Sequence, residues 1–169
     1  MFESHFIPNE DHNLHTFLEQ IVADHMTREV TTVARHVSMR ELGDLFERDD
    51  FNSYPVEENT QVIGVVSKFD YLACFVFTPA HMTPRYEELM RRTVADVMTS
   101  EFIYVGVDTK LMRVPQLMID HRLRSVPVIE SGQRLVGMIS REDVMRALQR
   151  SVRNEMLAPP SDGCLREGG

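Results

Sequence analysis

Apolar and polar positions along this chain follow two different periods. In one stretch, apolar side chains recur every three or four residues, as on one face of a helix: Leu111, Val114, Leu117 and Met118. Short continuous apolar runs at 102–105, 125–129 and 135–139 are instead typical of buried strands. Because Ser131-Gly132 favours a tight turn between the last two runs, they are predicted to pair as a hairpin, followed by a helix over 140–149.

The same order of elements is predicted in the first half of the chain. Segment 22–27 (VADHMT) recurs 72 positions later as 94–99 (VADVMT), and after one inserted residue 61–70 corresponds to 134–143. The first-half elements are predicted at 31–33 (strand), 39–49 (helix), 53–57 and 61–66 (strands) and 68–77 (helix). Colinear similarity over about fifty residues indicates a duplication. The expected fold is α/β (α+β), with two pseudosymmetric β-α-β-β-α repeats in one compact module, because strands apolar on both faces need cover on both sides.

Three segments lie outside the two repeats. Asn13 is placed to cap an N-terminal helix with an apolar stripe: Leu14, Phe17, Leu18, Ile21 and Val22. Thr83-Pro84, followed by acidic residues, predicts the start of another helix between the repeats. The predicted organisation is a tail (1–12), the first helix with repeat 1 (13–78), a linker helix (79–93), repeat 2 (94–152) and a flexible tail (153–169).

Composition and charge limit the class of protein. With 169 residues, 43% hydrophobic and 26% charged, the chain is long enough to bury a core and fits a globular protein. Its longest strongly apolar run, 71–77, is too short to span a membrane. The N-terminus has no signal-peptide pattern, so we expect a cytoplasmic protein without membrane contact. The net charge of −8 argues against a nucleic-acid partner.

The repeated features resemble the CBS domain, named from cystathionine β-synthase. They are the Val-Ala-Asp-x-Met-Thr segments at 22–27 and 94–99, Pro55-Val56 and Pro127-Val128 on the second strands, and a Gly-hydrophobic-hydrophobic-Ser-x-x-Asp motif at each last turn. Two tandem copies, about 22–78 and 94–150, imply a CBS pair, or Bateman module. The resemblance implies an adenosine-containing ligand in the cleft between the repeats. It also implies a homodimer in which two pairs form a disc.

The motifs Ser67-x-x-Asp70 and Ser140-x-x-Asp143 each allow two interpretations. In the first, the Ser and Asp side chains close a capping box at the start of a helix. In the second, helix-start amides and the Ser hydroxyl bind phosphate, while the Asp carboxylate accepts hydrogen bonds from both ribose hydroxyls. The resemblance favours the second interpretation, because the motif recurs where the family binds its ligand.

The resemblance implies two sites, each built from both repeats. The first site would comprise Ser67, Lys68, Asp70, Gly106, Leu111, Leu123, Arg124 and Ser125. The second site would comprise Ser140, Arg141, Asp143, Ala34, Met39, Phe51, Asn52 and Ser53. Plain core packing is the competing interpretation of the apolar members. We expect the first site to take a phosphorylated nucleotide, because Lys68, Arg124 and nearby Arg122 supply cations.

Several positions depart from the family pattern or suggest other chemistry. Ala34 and Gly106 stand where the family commonly has a hydroxyl residue, and Pro115 is predicted to kink or delay its helix. The terminal histidines are expected to be solvated rather than to form a metal site: His5, His12 and His15. Three arginines on the last helix are expected to form a solvent-exposed stripe: Arg146, Arg150 and Arg153.

The resulting hypothesis is a stand-alone regulatory module that binds AMP, ADP or ATP and signals to a separate protein through a conformational change. No nucleophile–base pair is recognisable, so no enzymatic activity, catalytic residue or required cofactor is expected. Two alternatives stay open. One is a dimerisation scaffold of the same fold, its clefts filled by Phe51 and Met39, and the other is a binder of S-adenosylmethionine or NAD(H).

Overall fold

A computed structural model describes residues 17–76 and 86–157. It contains two hydrophobic cores, one beneath each hairpin, and each core includes residues from the start of the other repeat. The first part contains β1 (Val33–Ala34), α1 (Met39–Asp49), β2 (Ser53–Glu58), β3 (Gln61–Ser67) and α2 (Lys68–Ala73). The second contains α3 (Tyr86–Arg91), α4 (Arg113–Asp120), β4 (Ser125–Glu130), β5 (Arg134–Ser140) and α5 (Arg141–Leu157). Short 3-10 turns lie at Val22–Asp24, Val94–Asp96 and Ser131–Gln133. The predicted mixed fold with two similar repeats is confirmed.

The two sheets share the same strand pairing, but the first has three strands and the second has two. In the first, β1 runs parallel to β2 and β2 runs antiparallel to β3. In the second, β4 and β5 form the antiparallel hairpin, and the place of β1 is taken by a single parallel bridge between Val105 and Val128. This bridge corresponds to the pairing of Val33 with Val56 in the first sheet. The strand predicted over 102–105 is therefore wrong in extent, because only Val105 pairs with β4.

The first helices of the two repeats begin differently. Ser38 caps α1 in a capping box with Glu41, and the helix has 11 residues. The corresponding helix α4 has only 8 residues and starts at Arg113, which leaves Pro115 in its first turn. A proline is tolerated there because the first backbone N–H groups of a helix have no intrahelical acceptor. Pro115 thus delays the start of α4 rather than kinking it, one of the two outcomes predicted.

Three other helix boundaries differ from the sequence predictions. Helix α2 ends at Ala73, before the predicted end at 77, and α5 continues to Leu157 instead of ending near 149. The residues at 17–19 are helical, but Ile21 already pairs with Lys110, so the N-terminal helix does not extend to Val22 as predicted. The predicted cap Asn13 and the predicted helix start Thr83-Pro84 lie outside the described residues. None of the described helices combines the length and apolarity that a membrane crossing needs.

The repeats are interlocked by the first six residues of each, which we call the leading segments (22–27 and 94–99). Thr27 exchanges backbone hydrogen bonds with Met138 of β5, at 2.8 and 2.9 Å. Thr99 makes the corresponding exchange with Val65 of β3, at 3.0 and 2.9 Å. Each leading segment therefore adds one paired residue to the hairpin of the other repeat. This exchange places the ends of the two hairpins beside each other.

Candidate functional site

Four serines mark the place where the two hairpins meet. Ser53 and Ser67 pair at the open end of the first hairpin, and Ser125 and Ser140 pair at the open end of the second. The Oγ atoms of Ser53 and Ser125 are 2.8 Å apart. The strand ends of the two repeats, from which helices α2 and α5 start, consequently lie close together. We call this region the junction.

Both Ser-x-x-Asp motifs form capping boxes at the junction. Oδ2 of Asp70 accepts hydrogen bonds from Ser67 N at 2.8 Å and Ser67 Oγ at 2.5 Å. Oδ2 of Asp143 accepts the equivalent bonds from Ser140, at 2.9 and 2.6 Å. In return, each Ser Oγ accepts a hydrogen bond at 3.2 Å from the backbone N–H of its Asp. The capping interpretation is confirmed, and it leaves one carboxylate oxygen of each Asp outside the box.

The second carboxylate oxygen distinguishes the two motifs. Oδ1 of Asp143 accepts a hydrogen bond from Nη1 of Arg146 at 3.2 Å, and Asp143 is only 8% exposed. Asp70 is partly exposed, and within the described part of the chain no hydrogen bond reaches its Oδ1. The Asp70 carboxylate can therefore still accept hydrogen bonds from a ligand.

The cations predicted for the two sites are next to the junction serines in the chain. Nη1 of Arg124 donates to Oδ1 of Asn52 at 3.1 Å, which ties the starts of the two hairpins together. Nζ of Lys68 lies 3.1 Å from the fully exposed carboxylate of Asp50. On the other side, the side chain of Arg141 lies 3.6 Å from that of Glu142. These exposed contacts are weak enough to be exchanged for a bound anion.

The backbone amides at the helix starts are less available than the sequence suggested. Lys68 N donates to Asn52 O at 2.9 Å, and Arg141 N donates to Arg124 O at 3.0 Å. The amides of Asp70 and Asp143 are held in the capping boxes. A phosphate at the junction would therefore depend mainly on the side-chain cations.

Several predicted site residues belong to the cores or lie away from the junction. Met39 and Leu111 are 0% exposed, so core packing is the correct interpretation for both. Leu123 is half-buried against the second core. Phe51 is 44% exposed and packs its ring edge-on against Tyr54, with the ring centroids 5.6 Å apart.

Ala34 and Gly106 lie towards the other end of their hairpins. Ala34 pairs with Glu57, four residues along β2 from Ser53, which is roughly 13 Å in an extended strand. Gly106 donates its N–H to Thr109 Oγ1 at 3.1 Å and lines a cavity of about 460 Å³ with Glu130 and Ser131. The structure therefore does not bring these two residues to the strand ends with Ser53 and Ser125.

Two side chains near Asp143 were missed as site residues by sequence reasoning. The side chain of Arg146 is exposed, as the sequence predicts, and it also reaches Asp143 because residues three apart on a helix are neighbours. His25, from the leading segment of repeat 1, interacts electrostatically with Asp143 and Arg150. Burial lowers the pKa of His25 below its usual value of 6.5. The three-residue spacing of Asp143 and Arg146 on a predicted helix could have indicated their contact. The sequence contains no such signal for His25, which approaches Asp143 only through the fold.

The described residues contain no cluster of three or more His, Cys, Asp or Glu side chains suited to hold a metal ion. The terminal histidines considered in the sequence lie outside these residues.

The duplicated fold, with two hairpins meeting at paired Ser-x-x-Asp motifs, defines a tandem-repeat module of the CBS-pair class. The chain belongs to the CBS domain family, whose family model matches residues 22–76 and 94–150.

Comparison with individual proteins agrees with this assignment. The chain is 29% identical over 126 residues to uncharacterized protein MJ0188 of Methanocaldococcus jannaschii, covering 75% of this chain and 43% of that relative. It is 33% identical over 101 residues to the mitochondrial CBS domain-containing protein CBSX3 of Arabidopsis thaliana, covering 59% of this chain and 45% of that relative. The chain thus spans less than half the length of these curated relatives.

Solved structures extend the comparison. The CBS-pair protein CBSX2 of Arabidopsis thaliana superposes with a TM-score of 0.69 at 27% identity, covering 79% of this chain and 97% of CBSX2. CBSX2 in complex with AMP gives 0.66 at 26% identity, covering 77% and 96%. The CBS domain pair of MJ0100, in complex with 5′-methylthioadenosine and S-adenosyl-L-methionine, gives 0.65 at 20% identity, covering 78% and 97%. The last likeness concerns the fold alone.

Proposed function

We propose that this chain is a regulatory module that binds an adenosine phosphate, AMP, ADP or ATP, at the junction between its repeats. The observation that carries the proposal is the position of Asp70, whose Oδ1 accepts no hydrogen bond from any described residue, while Arg124 and Lys68 lie at the same strand ends. A carboxylate is suited to the vicinal hydroxyls of ribose, and clustered cations are suited to phosphate. The AMP complex of CBSX2 supports this ligand class.

Signalling in this proposal depends on a difference in affinity between two arrangements of the repeats. A ligand held by Asp70 of one repeat and Arg124 of the other would favour the arrangement that brings both within reach. The Arg124–Asn52 hydrogen bond already crosses between the repeats, so replacing it with a phosphate contact changes the link between them. We propose that a second copy of the chain and a separate protein target read this change, with no catalysis by the module itself.

The junction also bears on two alternatives, binding of S-adenosylmethionine and a scaffold without a ligand. S-adenosylmethionine carries a sulfonium cation, which would meet the positive charges of Lys68 and Arg124 unfavourably. A ligand-free scaffold would need Phe51 and Met39 to fill the clefts, but Met39 is part of the core and Phe51 is nearly half exposed. The junction geometry therefore favours the phosphorylated ligand over both.

Titration of the chain with AMP, ATP and S-adenosylmethionine, followed by melting temperature and calorimetry, tests the proposal. We expect a rise in melting temperature with AMP or ATP, because a ligand that binds the folded state stabilises it. Ser67→Ala and Arg124→Gln should each weaken binding at least tenfold. No shift with any ligand at millimolar concentration would contradict the proposal.

Ser38→Ala is the matched control for Ser67→Ala. It removes the same kind of capping box from the start of α1. Because α1 is about 16 Å long and only its last residues approach the junction, this box lies away from the proposed site. Both variants should lose about 1 kcal/mol of folding stability. Only Ser67→Ala should also lose affinity, so equal affinities in the two variants would assign Ser67 a capping role alone.

A further inference from the structure

The two Ser-x-x-Asp motifs are almost identical in geometry and differ one helical turn later. Three residues after Asp70 the chain has Ala73, whereas three residues after Asp143 it has Arg146. The guanidinium of Arg146 donates to Oδ1 of Asp143 at 3.2 Å. The methyl group of Ala73 has no polar atom to offer Asp70.

Asp143 consequently has both carboxylate oxygens in use. Its Oδ2 is held by Ser140 N and Ser140 Oγ, its Oδ1 by Arg146, and little of its side chain is exposed. A ribose would have to displace Arg146 to reach Oδ1, since Oδ2 is turned into the capping box. At Asp70 the same approach displaces no protein group within the described residues.

The surroundings of Asp143 reinforce this difference. His25 interacts with both Asp143 and Arg150, whereas the corresponding position in the other leading segment is the apolar Val97. Asp143 is thus already paired with Arg146 on its own helix. The cations near the other motif, Lys68 and Arg124, instead contact Asp50 and Asn52, and within the described ranges neither forms an ion pair with Asp70.

We propose that the two motifs are unequal binding sites, in which Arg146 closes Asp143 and the module takes a single adenosine phosphate at Asp70. The identity of the residue at positions 73 and 146 then determines how many ligands each chain binds. This inference rests on the proposed function, and it adds to it the stoichiometry and the residue that sets it.

Calorimetric titration of the full chain with AMP tests the inference. The wild-type chain should bind one AMP, and Arg146→Ala should bind a second one because Asp143 Oδ1 becomes accessible. Ala73→Arg should weaken the wild-type site at least tenfold by placing a guanidinium one turn beyond Asp70. Arg153→Ala, which removes another exposed arginine of α5, is the control and should leave one AMP bound with unchanged affinity.

The outcomes separate the inference from the proposed function. Two equivalent AMP molecules per wild-type chain, or a single one in Arg146→Ala, would overturn the inference while the proposed function stands. Wild-type AMP affinity in Ala73→Arg would also overturn the inference. Because Ala73 is exposed on α2, this variant should fold and provides a test even if Arg146→Ala does not fold. No AMP binding by the wild type would overturn the proposed function and the inference together.

Discussion

His25 shows how one side chain can give two similar segments different chemistry. The leading segments 22–27 and 94–99 differ only at this position, where the second has Val97. Burial is the main effect and lowers the pKa of His25, and the positive charge of Arg150 lowers it further. The carboxylates of Asp24 and Asp143 raise the pKa but do not cancel this shift. The imidazole is therefore held in its neutral form at neutral pH, although it lies beside the acidic side chain of a capping box.

His25→Val should reduce the acid sensitivity of the fold. In the unfolded chain a histidine titrates near 6.5, while the folded chain takes up this proton only at lower pH. The unfolded state therefore binds more protons as pH falls through 6.5, and wild-type stability declines in that range. Urea unfolding at pH 7.5 and 5.5 should show a smaller decline for His25→Val. The exposed His121→Val serves as control, and an equal decline in all three proteins would contradict the explanation.

At the scale of elements, the hairpins depend on glycines where a leading segment crosses them. Gly64 lies under Met98 and Thr99, and Gly137 lies under Met26 and Thr27. The absence of a side chain lets the crossing backbone approach closely enough to pair with Val65 or Met138. The glycine of the Gly-hydrophobic-hydrophobic-Ser motif is thus explained by interlocking of the repeats.

Gly64→Ala should destabilise the chain by about 1–3 kcal/mol. The added Cβ would lie 2.9 Å from Met98 Sδ and 3.0 Å from the carbonyl oxygen of Thr99. The sulfur can move, but the carbonyl accepts a hydrogen bond from Val65 N and cannot retreat without losing it. Denaturant unfolding measures the effect. Gly106→Ala, whose nearest contact would be 3.8 Å from Thr109 Oγ1, should be nearly neutral, and equal losses would refute the steric argument.

Periodicity and turn chemistry were sufficient to predict those elements whose signals are local. Helix α1 matches its prediction at both ends, because Ser38 and Glu41 supply a capping box and its apolar face is regular. The segment 102–105 has strand-forming residues, yet only Val105 pairs, because strand length depends on what the neighbouring β4 offers. Local sequence contains no information about that partner.

The candidate site was predictable to a similar degree. The family resemblance assigns Arg124 and Ser125 to the first site and Asn52 and Ser53 to the second, whereas the structure brings all four residues into contact at one junction. Residue type could not separate a ligand contact from a core position for Met39, since apolar side chains serve both. Burial decided that question, and it depends on the packing of the whole module.

At the scale of the whole molecule, the exchanged leading segments make the two repeats one structural unit. Thr27 pairs with the second hairpin and Thr99 with the first, so neither sheet keeps all its pairings without the other repeat. Ser53 and Ser125 then meet between them. The ligand proposed for the junction would therefore contact both halves of this unit, and we propose that a second chain senses it through the outer surfaces of α2 and α5.

The apolar residues on these outer surfaces support the proposed homodimer. Leu72 and Met145 occupy corresponding positions in the two repeats and are 62% and 58% exposed. Exposed apolar patches are commonly covered by a protein partner, and we propose that these two positions belong to one. In the combined variant Leu72→Glu with Met145→Glu, each chain would bring two charges into an apolar contact. The dissociation constant of the dimer should therefore rise on the order of a hundredfold.

Sedimentation velocity over a range of protein concentrations measures this dissociation, with AMP affinity as a second reading. Tyr104→Glu is the control, because Tyr104 is also exposed but lines a cavity at the turn end of the second hairpin with Ser131 and Gly132. A wild-type chain that sediments as a monomer at all concentrations would refute the homodimer. If the double variant is monomeric yet binds AMP as the wild type does, the junction is complete within one chain, and the second copy serves to read the signal rather than to form the site.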